Sequence, residues 1–334
     1  MGSVLIVGGT GFVGSHTAVR FVEAGYQVVA LGRHPRSMHY LDGLGSKLTK
    51  VAGNILDFEN LLGVVEEHKV DGIVDCFAHI DPRNPYGVLK GNLQSATNIL
   101  EVARLKGLNV VNVSSACVYG AVGHQNGSLS EETLFAPLGP LGPYDSPWGP
   151  MHATTRRTRD ALSEFYAEAY GVDVVTVRTS ALYGPGDTKP IAVYEMVEKA
   201  LDGIEFNQDA GGDRLVDYTH VKDAAEGNFL AYTVRPLARR VYNFGFGALS
   251  SMREMAETVR EHVPGSKIRI GPGILPGYPL ISYYRGPLDW SRAKSELGFV
   301  PKYNLRDGIR DVIDWYKRNP RFRIFNGKPV AELE

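Results

Sequence analysis

The chain of 334 residues is poor in cysteine, carries almost no charge imbalance and has no long apolar run. Its two cysteines, Cys76 and Cys117, both fall inside apolar, strand-like stretches. That excludes a disulfide framework and predicts buried thiols in a reducing compartment, with the cytoplasm as the default. A formal net charge of −1 offers no bulk attraction to nucleic acid or an anionic membrane. No stretch reaches the roughly 18 apolar residues of a membrane-spanning helix. The first apolar run is too short for a signal peptide and lacks its basic start. The nine histidines show no metal-ligand spacing, and His34 and His39 are separated by a proline-bearing loop. Gly-x-Ser-x-Gly is missing, and with it a hydrolase nucleophile elbow. Interleaved basic and aromatic residues of the kind that read RNA are missing too. A small-molecule substrate is therefore expected, with no metal, nucleic-acid or membrane partner.

What is present starts at the first residues. Ser3-Val4-Leu5-Ile6-Val7 runs straight into Gly8-Gly9-Thr10-Gly11-Phe12-Val13-Gly14, and a helical pattern begins at Phe12. Gly9, Gly11 and Gly14 satisfy Gly-x-Gly-x-x-Gly, while Gly8, Gly11 and Gly14 satisfy Gly-x-x-Gly-x-x-Gly. Such a turn needs unusual backbone angles and close approach to a pyrophosphate, which the following helix N-terminus attracts. The strand-then-helix context makes this a dinucleotide site, with Gly8, Gly11, Phe12, Val13 and Gly14 as its cradle.

Downstream, strands at 27–31, 48–51, 72–77, 109–113 and 172–178 alternate with helices at 12–24, 58–67, 84–105 and 151–170. This α/β rhythm predicts a doubly wound parallel sheet covered on both faces. Residues 120–150 break the rhythm with Pro137, Pro140, Pro143, Pro147 and Pro150 and read as a long loop of functional character. Ala181 to Asp187 reads as a turn cluster. Short helices at 190–202, 251–263, 291–296 and 305–317 then predict a smaller mixed α/β C-terminal lobe on the sheet's carboxyl edge. The division expected is a dinucleotide lobe over 1–180, rejoined by 214–247, and a substrate lobe from 181–213 and 248–334.

Several runs resemble the extended short-chain dehydrogenase/reductases, the NAD-dependent epimerase/dehydratase family. They are the opening, Asn92 to Glu101, Ser114 to Gly120, Arg178-x-x-x-x-Tyr183-Gly184-Pro185-Gly186, Arg214 to Asp223, Tyr242 to Gly245 and Leu297-Gly298-Phe299. The resemblance implies a Rossmann-type lobe with a substrate lobe and, often, a homodimer joined through two helices per subunit. It implies an enzyme that moves hydride to or from a secondary alcohol or ketone as an oxidoreductase, epimerase or dehydratase. It would place Asn54 and Ile55 beside the adenine and Ala78 and His79 near the nicotinamide half of the cofactor.

Two departures stand out. An acid about 20 residues past the glycine turn bonds the ribose diol of NAD, and an arginine there favours the phosphate of NADP. Here Gly32 takes the acid's place and is followed by Arg33, His34 and Arg36, which predicts NADP with NAD as the alternative.

The family's proton relay is a serine plus Tyr-x-x-x-Lys. Ser115 matches the serine, but the tyrosine position falls on His152 and the lysine position on Arg156, with Asp160 one turn further. No lysine occurs between Lys106 and Lys189, so no shift restores the pair. The one Tyr-x-x-x-Lys, Tyr86 to Lys90, precedes the wrong strand. Three arrangements remain open. His152 could serve as acid–base, with Arg156 favouring its neutral form. Tyr144, beside Asp145, could swing in as donor. Or the relay is lost, leaving a cofactor-binding sensor or scaffold.

On the substrate side, Arg214 matches the arginine that holds the diphosphate in the family's nucleotide-sugar enzymes. Against that stand a salt bridge to Asp213 or Asp217 as its role, and Ala181 where many of those enzymes carry an asparagine. Arg285 is a second phosphate-binding candidate, though its spacing to Asp289 is short. Tyr283 and Tyr284 could line the pocket or merely pack. A nucleotide sugar and a smaller hydroxy or keto metabolite both fit.

Overall fold

Along the first strand, β1 (Ser3–Val7), Val4 and Ile6 enter one apolar core and Leu5 and Val7 another. Both sets are buried because a parallel sheet is covered on its two faces. The computed structural model describes residues 2–33, 39–81, 83–122, 127–138, 150–187, 191–274 and 286–324. After β1 come α1 (Phe12–Glu23), β2 (Gln27–Gly32), β3 (Leu48–Ala52), α2 (Phe58–Glu67) and β4 (Gly72–Asp75). Next are α3 (Pro85–Lys106), β5 (Asn109–Ser115), α4 (Pro150–Tyr170) and β6 (Val174–Thr179). The C-terminal half contains β7 (Ala181–Tyr183), α5 (Ala192–Leu201), β8 (Phe206–Gln208), β9 (Leu215–Val216), β10 (Tyr218–His220) and α6 (Val221–Thr233). It closes with β11 (Val241–Phe244), β12 (Ser250–Ser251), α7 (Met252–His262), β13 (Ile268–Ile270), α8 (Ser291–Leu297) and α9 (Leu305–Arg318).

Seven strands form one parallel sheet in the order β11-β6-β5-β4-β1-β2-β3. Side chains of α1, α6 and α8 fill one face, those of α2, α3 and α4 the other. The chain reverses direction across the sheet between β1 and β4, the switch point where such sheets open a ligand crevice. Register brings the strand ends together there: Val7 lies beside Leu31 and Asp75, and Ser115 beside Thr179. A separate core of Val193, Met196, Phe206, Met255, Val259, Ile309 and Ile313 holds the smaller lobe.

Three elements differ from the sequence expectation. Ala181–Tyr183, read as part of a turn cluster, is a strand because it pairs with Tyr218–His220. The sixth strand starts at Val174 rather than residue 172. Helix α6 was not anticipated; it packs on α1, and Gly227 in its middle lets Phe244 approach so closely that a Cβ would meet its ring at 2.5 Å. Of the expected long loop, residues 120–122 and 127–138 carry turns and one isolated bridge, Leu129 to Leu288.

Candidate active site at the carboxyl edge of the sheet

The glycine turn is stitched to the sheet by its own main chain. Gly9 N–H donates to Ile6 and Leu31 carbonyls, each at 3.1 Å, and Gly11 N–H to Gly8 at 2.8 Å. Gly8 has φ 71°, a left-handed backbone that glycine adopts without strain. A Cβ on Gly14 would lie 2.1 Å from the Gly8 carbonyl oxygen, so only hydrogen lets α1 start this close to the turn. Gly11 caps α1 with no side-chain hydrogen bond, and no acid stands in its first turn. The first N–H groups thus face the cleft, as a pyrophosphate requires. These residues fit a dinucleotide.

The cleft encloses about 570 Å³. It is lined by Gly8, Gly11, Phe12, Val13 and Gly14 from the turn, Arg33 after β2, Ile55 after β3 and Ala78 after β4. Ser115, His152, Arg156 and Arg214 line the same space. Asn54 and His79 do not: the Asn54 side chain accepts from Leu56 N–H at 3.1 Å, and the His79 main chain is clasped by Asn92. Arg36, Tyr144, Tyr283, Tyr284 and Arg285 lie outside the described residues.

At the relay end, Ser115 caps a short 3-10 turn, its Oγ accepting from Cys117 N–H at 3.2 Å. The hydroxyl proton stays available to a ligand oxygen. His152 is buried on the first turn of α4. Arg156, one turn on, donates to the Val113 carbonyl at 2.9 Å and the Phe77 carbonyl at 3.3 Å. Burial, and Arg159 nearby, lower its pKa to about 10, so it remains a cation at neutral pH. It is therefore fixed to the ends of β4 and β5. Arg159 donates to Phe77 O at 3.1 Å and forms a fully buried ion pair with Asp75. Asp160 takes Arg178 at 3.1 Å, and Arg178 donates to Tyr119 Oη at 3.0 Å. The conspicuous arginine of the Arg178-to-Gly186 run thus braces α4 against β6.

Sequence reading missed Arg159 and Asp75. An acid inside an otherwise apolar strand, and an arginine three residues after Arg156, were the available signals. It also missed Thr10, Asp187, Gln208 and Tyr218, which line the cleft. At the far end, Asp213 pairs with Arg253 at 2.9 Å, and Asp217 accepts from Leu288 and Phe246 N–H groups at 2.9 and 3.1 Å. Both acids named as salt-bridge candidates for Arg214 are engaged by those groups. Cys76 and Cys117 are free thiols at the cleft, and burial pushes Cys76 up to about 12.

A switch-point crevice with a glycine cradle and hydroxyl and imidazole groups beyond it defines a dinucleotide-dependent enzyme of the short-chain dehydrogenase type. The family described as "NAD dependent epimerase/dehydratase family" matches residues 4–245, and the chain belongs to it. Among its relatives is the dTDP-glucose 4,6-dehydratase of Actinoplanes sp., 26% identical over 340 residues, covering 95% of this chain and 98% of that one. Another is a putative UDP-glucose 4-epimerase of Methanocaldococcus jannaschii, 26% identical over 328 residues, covering 95% and 99%. The structure of MoeE5 in complex with UDP-glucuronic acid and NAD superposes with a TM-score of 0.78 at 26% identity, covering 95% of this chain and 99% of that one. The chain is thus an enzyme of the epimerase/dehydratase and oxidoreductase class that works with a nicotinamide dinucleotide. Among the described residues no helix is long and apolar enough to cross a membrane.

Proposed function

We propose that this enzyme prefers NADP and acts on a secondary alcohol or ketone of a nucleotide sugar. The observation that carries this reading is the lining of one cleft by the glycine cradle, Ser115, His152 and Arg214. When bound, the dinucleotide supplies a hydride acceptor or donor. Ser115 donates a hydrogen bond to the substrate oxygen. His152 takes or returns that oxygen's proton, with Arg156 as a fixed cation one turn away that disfavours the imidazolium. Arg214 presents a planar fork to the diphosphate. Arg33, exposed beside Gly32, supplies charge for the 2′-phosphate. The likeness to nucleotide-sugar enzymes over the whole chain favours a nucleotide sugar over a smaller metabolite.

The proposal extends to assembly and place. Leu105 at the end of α3 and Phe165 and Tyr170 on α4 are 50%, 53% and 54% exposed. A second copy docking through these helices would cover them, and two free thiols suit the cytoplasm.

The test is a panel of UDP- and dTDP-hexoses with NADP and NAD, read by product chromatography and absorbance at 340 nm. The Ser115→Ala, His152→Ala double variant is expected to lose about 10³-fold in turnover while binding NADPH as the parent does. Full activity in that variant overturns the relay. NADH binding as tight as NADPH overturns the cofactor preference. Tight cofactor binding with no product from any sugar returns the chain to a sensor or scaffold.

A further inference from the structure

Asp75, Asn112 and Thr176 stand side by side in one register row of β4, β5 and β6, and all three are buried. Two residues earlier the same face carries Ile73, Val110 and Val174, which belong to the apolar core under α2, α3 and α4. A sheet face covered by helices is expected to continue apolar. Instead the buried Arg159 enters this row from α4, paired with Asp75 and 3.4 Å from Asn112 Oδ1. Asn112 in turn donates to Thr176 Oγ1 at 3.2 Å. Stability does not account for such a row. A buried ion pair is often worth no more than apolar side chains of similar volume. Arg159 Nε also has no partner among the described residues, which adds a desolvation cost.

What the row holds is the main chain after β4. Phe77 N–H donates to Asp75 Oδ1 at 3.0 Å. The Phe77 carbonyl accepts from Arg159 Nη1 at 3.1 Å and from Arg156 Nη2 at 3.3 Å. Two guanidinium groups thus meet at one oxygen; Arg159 disfavours the charge on Arg156, and Asp75 favours it. Phe77, Ala78 and Arg156 line the cleft, whereas Asp75 and Arg159 stand behind them and do not. The geometry points to Asp75 and Arg159 as positioning residues of the reaction, which set the Phe77–Ala78 main chain and the Arg156 cation against the cleft. Neither touches a ligand; they act through that main chain and through Arg156. This rests on the cofactor and relay reading above, in which Ala78 adjoins the nicotinamide half and Arg156 stands beside His152.

The Asp75→Leu, Arg159→Met double variant tests it by removing both charges at once and leaving an apolar row. Urea unfolding should show it at least as stable as the parent; lower stability overturns the proposal, because the pair then serves the fold. The second readout is the emission of the bound reduced cofactor, with whichever of NADPH and NADH the parent binds tighter. Its enhancement on binding should fall by about half or more in the double variant. On a sugar that the parent turns over, kcat should drop about tenfold with KM held within about threefold. Parent-like emission and kcat in the stable double variant overturn the proposal. If the parent turns over no sugar, the relay reading has failed, and the emission comparison alone decides this one. Should the double variant not fold, Arg159→Lys replaces it, keeping a cation for Asp75 without the planar fork that also reaches Phe77. The same losses are expected there, and parent-like values overturn the proposal.

Discussion

At the β1–α1 end of the cleft the groups offered to a ligand are main-chain N–H groups at the start of α1, and glycines make the turn that presents them. At the β5–α4 end they are the side chains of Ser115, His152 and Arg156, and the charged groups there are braced: Arg156 by two carbonyls and, behind it, Arg159 by Asp75 and Asp160 by Arg178. The first construction depends on the absence of atoms. It admits no substitute, because a Cβ on Gly14 collides with the Gly8 carbonyl. The second depends on partners, and partners can be exchanged together. The cradle is thus held by what is missing, and the β5–α4 end by what is paired.

Three changes would break or sharpen the contrast. The largest effect is expected at the braced end. Arg159→Met leaves Asp75 buried without its cation and should cost about 3–5 kcal/mol of stability, measured by urea unfolding. A loss below about 1 kcal/mol would mean the network is dispensable. Next, Gly14→Ala should weaken dinucleotide binding about 100-fold, or about 3 kcal/mol, by forcing α1 away from the turn. Unchanged affinity would mean that the cradle tolerates a side chain after all.

The smallest effect ties α1 to the segment after β7. His16 on α1 lies 2.8 Å from the Pro185 carbonyl oxygen, and burial lowers its pKa to about 4, although that bond pulls the other way. The fold therefore excludes the imidazolium. In the unfolded chain the same histidine takes up a proton near its usual pKa of about 6.5. Between these values the unfolded state binds more protons, so stability falls as pH drops from 6.5 to 4. The parent should lose about 2 kcal/mol more over this range than His16→Gln does, by thermal or urea unfolding at each pH. Parallel profiles would remove His16 from the account.

The same contrast sets how much was legible beforehand. The glycine turn, the alternating strands and the ends of α3 and α4 are local patterns, and all could be read in order. Ala181–Tyr183 could not be separated from a turn, because its strand character comes from pairing with Tyr218–His220, 37 residues on. The side-chain oxygen of Asn54, a residue that the family resemblance puts beside the adenine, accepts from Leu56 N–H, a contact that only the folded turn displays. The Tyr86–Lys90 spacing imitates the family's catalytic pair, but Tyr86 is 73% exposed on the first turn of α3 and neither residue lines the cleft. Spacing along a helix specifies a face, not what the face meets.

The amino-acid sequence by itself determined the parallel sheet, the dinucleotide cradle and the family. These rest on periodic burial and on backbone conformations that only certain residues adopt. Only the tertiary structure decided what Arg156 does, and that Arg159 enters the core beside Asp75. Arg156 reaches back to carbonyls 43 and 79 residues earlier, and Arg159 meets a strand end 84 positions away. Such contacts follow from how strands and helices stack, which no local pattern encodes.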